Sequence, residues 1–179
     1  MAMSLCESRR ALYPIRGPVS GFAALGEDAP QGEGFVTHAP KLTAEELERL
    51  LSPEFPRLFH PDTGLAILKV WDRGSMVRQG FHPRTLRPGG TISGASMMML
   101  TDFTMYVAVL GAIGWVPGAV TTNLNINFLS KPAPRALEAE CRLIKLGRRL
   151  AVGEIGIRSE GESDLVAHAT STYSIPVRA

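Results

Sequence analysis

The chain has 179 residues, of which 45% are hydrophobic and 20% charged, a size and balance that allow one globular domain with a real core. A net charge of +2 without any basic tract gives no support for a nucleic-acid partner. Two unclustered cysteines, Cys6 and Cys141, fit a reducing cytoplasm and carry no metal-site or disulfide pattern.

The first 42 residues hold Gly17, Pro18, Gly21, Gly26, Pro30, Gly32, Gly34 and Pro40. That density of breakers predicts an irregular extension, with Leu12, Tyr13, Ile15, Phe22 and Phe35 as anchors. The N-terminus has no apolar h-region and is not read as a secretory signal. Thr43-Ala44-Glu45-Glu46 is a capping box, which predicts a short helix over 44–51 that packs on the domain through Leu47, Leu50 and Leu51. We read residues 1–60 as extension and 61–179 as the domain.

From residue 65 the pattern becomes strand-like. Strands are predicted over 65–70 and 76–81, joined by a turn at Asp72-Arg73-Gly74-Ser75. A loop over 82–90 leads to an apolar helix from near Gly94 to Gly111. Residues 119–129 alternate, which predicts Val120, Thr122, Leu124, Ile126 and Phe128 on one face of a strand and Thr121, Asn123, Asn125 and Asn127 on the other. Residues 137–146 follow as a strand whose phase slips at Leu143-Ile144, the sign of a bulge. Residues 150–158 and 165–175 complete the set. On the last strand Leu165, Ala167, Ala169, Tyr173 and Ile175 take the core face. Two short strands, one apolar helix and four long strands give an α+β domain. Its simplest form is an antiparallel sheet of about six strands wrapped around a helix buried on all sides. Residues 103–120 are long and uncharged, but Asp102 borders them and Gly111, Gly114, Pro117 and Gly118 break them. They are therefore not read as a membrane span, and the chain reads as soluble.

Between Arg87 and Lys131 the only charge is Asp102. A lone carboxylate in an apolar helix is costly unless it is paired, hydrogen-bonded or protonated, so Asp102 has either a structural partner or a chemical role. Glycines before the helix, and its free first-turn amides, suit the binding of an oxyanion. Asp102 is eight residues from Gly94, about 12 Å along a helix. One small carbonyl cannot touch both, so they share a substrate only if a second subunit supplies one of them. Lys145, Arg148 and Arg149 around Gly147 form the densest basic group among the strands and are candidates for phosphate contact, with Arg84 and Arg87 behind them. His38, His60, His82 and His168 lack metal spacing. Among these readings, no nucleophile elbow, phosphate loop or dinucleotide fingerprint is found.

The run Gly90-Thr91-Ile92-Ser93-Gly94-Ala95, then Leu100-Thr101-Asp102, Val120-Thr121, Asn125-Ile126-Asn127-Phe128-Leu129, Lys145-Leu146-Gly147-Arg148-Arg149 and Ala167-His168-Ala169-Thr170 resembles the PaaI-like acyl-CoA thioesterases of the hotdog superfamily. The likeness covers about residues 64–176. It implies a hotdog fold, a homodimer or homotetramer, no cofactor, and hydrolysis of an acyl-CoA thioester between subunits. In that family a His-Gly-Gly triplet opens the helix and an acid lies nine residues after the His. The resemblance therefore implies Asp102 as catalytic carboxylate, Gly94 as the amide that polarises the carbonyl, and Thr121 as a hydroxyl assisting the water. Ser93 and Ala95 occupy the other triplet positions and are taken as substrate contacts. Ser93 departs from the family's His. The other readings are a hydratase of the same fold, disfavoured because no His lies in the central stretch, and a non-catalytic acyl-CoA or lipid-binding module.

Overall fold

The computed structural model describes residues 39–177; the first 38 residues of the expected extension, with its anchors, Cys6 and His38, lie outside them. The first element is α1 (Ala44–Glu54). Its capping box is formed in full: the Glu46 amide donates to the Thr43 hydroxyl and the Thr43 amide donates to the Glu46 carboxylate. The helix runs three residues past its predicted end because Pro53 sits inside the last turn and the Phe55 amide still reaches the Leu51 carbonyl. Leu47 and Leu51 are wholly buried, so α1 is seated on the domain core as its apolar spacing requires.

The strands are β1 (Ala66–Trp71), β2 (Gly74–Gln79), the short pair β3 (Leu86–Arg87) and β4 (Thr91–Ile92), and then β5 (Val120–Phe128), β6 (Leu137–Leu146), β7 (Leu150–Ser159) and β8 (Leu165–Ser174). The long helix α2 (Gly94–Ile113) separates β4 from β5. Six strands form one antiparallel sheet in the order β1-β2-β6-β7-β8-β5. The slip predicted at Leu143-Ile144 is a bulge, with the β6–β7 register shifting between Leu143 and Lys145. The inner face of the sheet presents Val77, Ala139, Cys141, Ile155, Ile157 and Ala169 to α2. Gly153 brings the two layers close, since a Cβ there would lie 2.6 Å from the Met105 sulfur.

Two expectations are corrected. The helix is not covered on all sides. Its core side is buried, but Ala95 and Met98 are exposed and Met99 and Asp102 are half-buried. These positions fall at helical spacing on one stripe, and the sheet ends at β5 without wrapping over them. The second correction concerns the phase of β5. Its pairing with β8 shifts between Thr121 and Asn123. Two residues oppose one there, and Thr121 falls opposite Tyr173 while Leu124, Ile126 and Phe128 fall opposite Ser171, Ala169 and Ala167. All of those partners are buried residues of the inner face. Thr121 therefore points inward with Leu124, Ile126 and Phe128, and the asparagines keep the outer face. Unbroken alternation would have sent Thr121 outward; the extra residue reverses it.

Candidate active site

Asp102 sits in the middle of α2 on the open stripe. Its carboxylate does not lack partners. The Thr121 hydroxyl donates to Oδ1 at 2.5 Å and the Tyr173 hydroxyl donates to the same oxygen at 2.8 Å. The Tyr173 hydroxyl also lies 3.0 Å from the main-chain oxygen of Asp102. Among the described residues Oδ2 has no hydrogen-bond partner. The inward turn of Thr121 at the β5 bulge and the buried inner-face position of Tyr173 on β8 make this arrangement. Burial pushes the Tyr173 hydroxyl well above the ordinary phenol range, with Asp102 adding to the effect against a lowering contact from Thr121. It therefore stays a neutral donor at working pH. The sequence reading placed Tyr173 on the core face and stopped there. The missed signal was that a buried tyrosine hydroxyl needs a partner, and the one charge in the apolar helix was available.

Tyr173, the aromatic residue that touches this carboxylate, leads into an aromatic cluster. Tyr173 stacks on Tyr106, with centroids 6.1 Å apart and rings 27° from parallel, and the Tyr106 hydroxyl donates to the Pro117 carbonyl. Phe55, just past the end of α1, meets both Phe103 and Tyr106 edge-on, and Phe59 meets Phe103. The residues after α1 thus pack on the Phe103 and Tyr106 side of α2.

The helix start is the second component. A turn with Gly89 and Gly90 at positive φ carries the chain from β3 into β4, a conformation that glycine adopts without strain. Ser93 is the N-cap. Its hydroxyl accepts from the Ser96 amide and lies 2.9 Å from the Ser96 hydroxyl. That leaves the amides of Gly94 and Ala95, the first two of α2, with no acceptor inside the helix. Ala95 is exposed, and a Cβ on Gly94 would lie 3.0 Å from the Phe128 ring. A groove of about 340 Å³ opens beside Gly94, floored by Ile92, Met97 and Phe128 and edged by Arg87 and Lys131. Lys131 was not singled out from the sequence.

Within one chain these components stay apart. Gly94 meets the Phe128 end of β5 and Asp102 meets the Thr121 end. Lys145, Arg148 and Arg149 are exposed around the β6–β7 turn. The Ile175 amide donates to the Arg149 carbonyl, and Leu150 pairs with Ser174, so this turn lies at the Thr121 end of the sheet. His60 and His82 each cap a short turn, accepting at Nδ1 from the amides of Asp62 and Arg84. In each case the imidazole caps a turn rather than facing Asp102. His168 lies 3.9 Å from Glu154 on the outer face.

A six-stranded antiparallel sheet with one long apolar helix packed against it is the architecture of the hotdog proteins. Residues 89–166 match the model of the thioesterase superfamily. A solved structure from Silicibacter sp. TM1040, described as a candidate thioesterase, is 38% identical over 76% of this chain and 94% of its own, with a TM-score of 0.68. A candidate esterase of Saccharolobus solfataricus is 29% identical over 76% of this chain and 87% of its own length. The phenylacetic acid degradation protein PaaI of Thermus thermophilus, in a variant form, shares the fold with a TM-score of 0.58 at 22% identity, over 69% of this chain and 99% of its own. The chain belongs to the thioesterase superfamily and has the hotdog fold.

Proposed function

We propose that this protein hydrolyses an acyl-CoA thioester to a free acid and CoA, at a site formed between two subunits of a cytoplasmic homodimer or homotetramer. The observation that carries this reading is the half-buried carboxylate of Asp102, held at one oxygen and open at the other, on a helix stripe that its own sheet leaves uncovered.

The unpaired edge of the sheet supports the two-subunit form. Of the two terminal strands, β1 has six residues and carries Lys69, whereas β5 is nine residues long, exposed on nearly every residue and without a charge. A long uncharged edge is a template for another strand. Antiparallel pairing with a second copy about the middle of β5 sets the Thr121 end of one strand against the Phe128 end of the other. Asp102 then faces the helix start of the partner subunit rather than its own.

The chemistry follows from that juxtaposition. Attack on the thioester carbonyl generates an oxyanion. The free amides at the partner's helix start, at the positive end of the helix dipole, stabilise it. Asp102 either takes the proton of the attacking water or attacks the carbonyl itself, forming an anhydride that water then opens. Thr121 has a second part in either route: while donating to Asp102 it still offers an acceptor to the water. The basic groups at Lys145, Arg148 and Arg149, and at Arg87 and Lys131 beside the groove, suit the phosphates of CoA.

Thiol release from a panel of acyl-CoA esters tests the proposal. The wild-type protein turns over at least one ester, and Asp102→Asn loses about 10²-fold or more in kcat. Equal rates for both proteins would remove Asp102 from the chemistry. A second reading, a non-catalytic acyl-CoA or lipid-binding module, draws on Ser93 standing where relatives carry a His, with its hydroxyl engaged in capping. Saturable binding of acyl-CoA without thiol release would select it.

A further inference from the structure

We infer that Tyr173 is a positioning residue of this site: with Thr121 it saturates Oδ1 of Asp102 and so assigns Oδ2 as the oxygen that meets water or the thioester. The inference rests on the reading that Asp102 acts in hydrolysis.

Three observations carry it. Both hydroxyls, from two different strands, converge on the same oxygen, and none of the described residues engages the other. A carboxylate free to rotate about its last bond would present its oxygens interchangeably; two donors on one of them fix the plane and make them inequivalent. Tyr173 is itself immobilised. It is 2% exposed, stacked on Tyr106 and in reach of the main-chain oxygen of Asp102 as well as the carboxylate. The phenol, donating to the carboxylate, therefore ties Asp102 to the sheet, and its oxygen stays packed against the helix backbone. The third observation is the bulge in β5, which costs a regular ladder position and turns Thr121 to the inner face opposite Tyr173. Bulges re-aim side chains in this way.

The consequence is mechanistic. When Oδ2 takes a proton from water, or bonds to the acyl carbon with the thiolate of CoA as leaving group, Oδ1 becomes the carbonyl oxygen and still accepts from both hydroxyls. Neither donor has to move during the reaction. Misplacement of such a group by about 1 Å costs up to about 10²-fold in rate.

The test compares Asp102→Asn, Tyr173→Phe, Thr121→Val and Thr121→Ser in the full-length protein, with steady-state kinetics on the best acyl-CoA and thermal melting. Tyr173→Phe keeps the ring, so the expected result is a kcat lowered by about ten- to hundredfold, with KM within about twofold and a melting temperature lower by only a few degrees. Thr121→Val behaves likewise and Thr121→Ser stays near wild type. A Tyr173→Phe kcat within twofold of wild type, beside an inactive Asp102→Asn, would overturn the positioning role and leave the hydrolase reading intact. A loss of kcat accompanied by a matching loss of folded protein would assign Tyr173 to packing and overturn it too. An Asp102→Asn protein as active as wild type would bring down both readings.

Discussion

Asp102 shows how far a single residue can be read before its neighbours are known. One acid in a long uncharged run signals a partner or a task; here two hydroxyls hold one oxygen, and none of the described residues engages the other. Another carboxylate offers a contrast. Glu138 lies between Arg78 and Arg158 in one row across β2, β6 and β7. Burial and the nearby Glu160 raise its proton affinity above the ordinary carboxylate value of 4.5, more than the two arginines lower it. Glu160 has meanwhile claimed Arg78 in a two-pronged ion pair, at 2.7 and 3.1 Å. A carboxyl whose folded-state proton affinity is raised contributes stability below its unfolded titration range and loses it as pH rises through the folded one. Glu138→Gln is therefore expected to raise the melting temperature at neutral pH. The gain should vanish as the pH falls through 4.5. Thermal melts of both proteins from pH 3.5 to 7.5 check this, and a gain that persists at the acid end contradicts it. Cys141 needs no such balance. Wholly buried, its thiol is pushed up by desolvation and then by Glu154 and Glu140, so it should resist alkylation in the native protein.

At the scale of elements, the cap and the layer contact set separate terms. Thr43 satisfies the first turn of α1, and Thr43→Ala should cost about 1 kcal/mol by denaturant titration. Gly153 is different because it governs how α2 sits on the sheet. A methyl there meets the Met105 sulfur at 2.6 Å and the Arg142 carbonyl at 3.2 Å, and Met105 is itself wholly buried. Gly153→Ala should destabilise by about 1–3 kcal/mol through overpacking. Because α2 carries Asp102, the same change should lower kcat. The long strands β6 and β8 were legible because their residues alternate with one face in the core, and the bulge in β6 because that alternation slips at Leu143-Ile144. The bulge in β5 was not. Its sequence alternates without a break, and nothing local reveals that Thr122 has no opposite number on β8.

For the whole molecule the decisive feature is the edge that β5 leaves open. Asn123, Asn125 and Asn127 are exposed on its outer face. In an antiparallel pairing with a second copy about Leu124, Asn123 of each copy faces Asn125 of the other. The double change Asn123→Asp with Asn125→Asp puts like charges across that seam, each pair costing about 0.2–1 kcal/mol, while touching nothing in the single chain's core. Sedimentation velocity should show dissociation to monomers that keep their melting transition, and thiol release should fall with the dimer fraction. An active monomer would contradict a site shared between subunits.

The sequence by itself determined the six strands of the main sheet and their order along the chain, the apolar helix between them, the capping box of α1 and the solitary acid, while the two-residue strands β3 and β4 lay in what reads as loop. These are local patterns of period two or 3.6, or of composition, and they survive without knowledge of what lies opposite. Only the tertiary structure decided which face Thr121 takes, that Tyr173 shares its oxygen, and that α2 is bare along the stripe holding Asp102. Each of those depends on pairing between segments far apart in the chain, or on where the sheet stops. A residue's own neighbours in sequence carry no record of either.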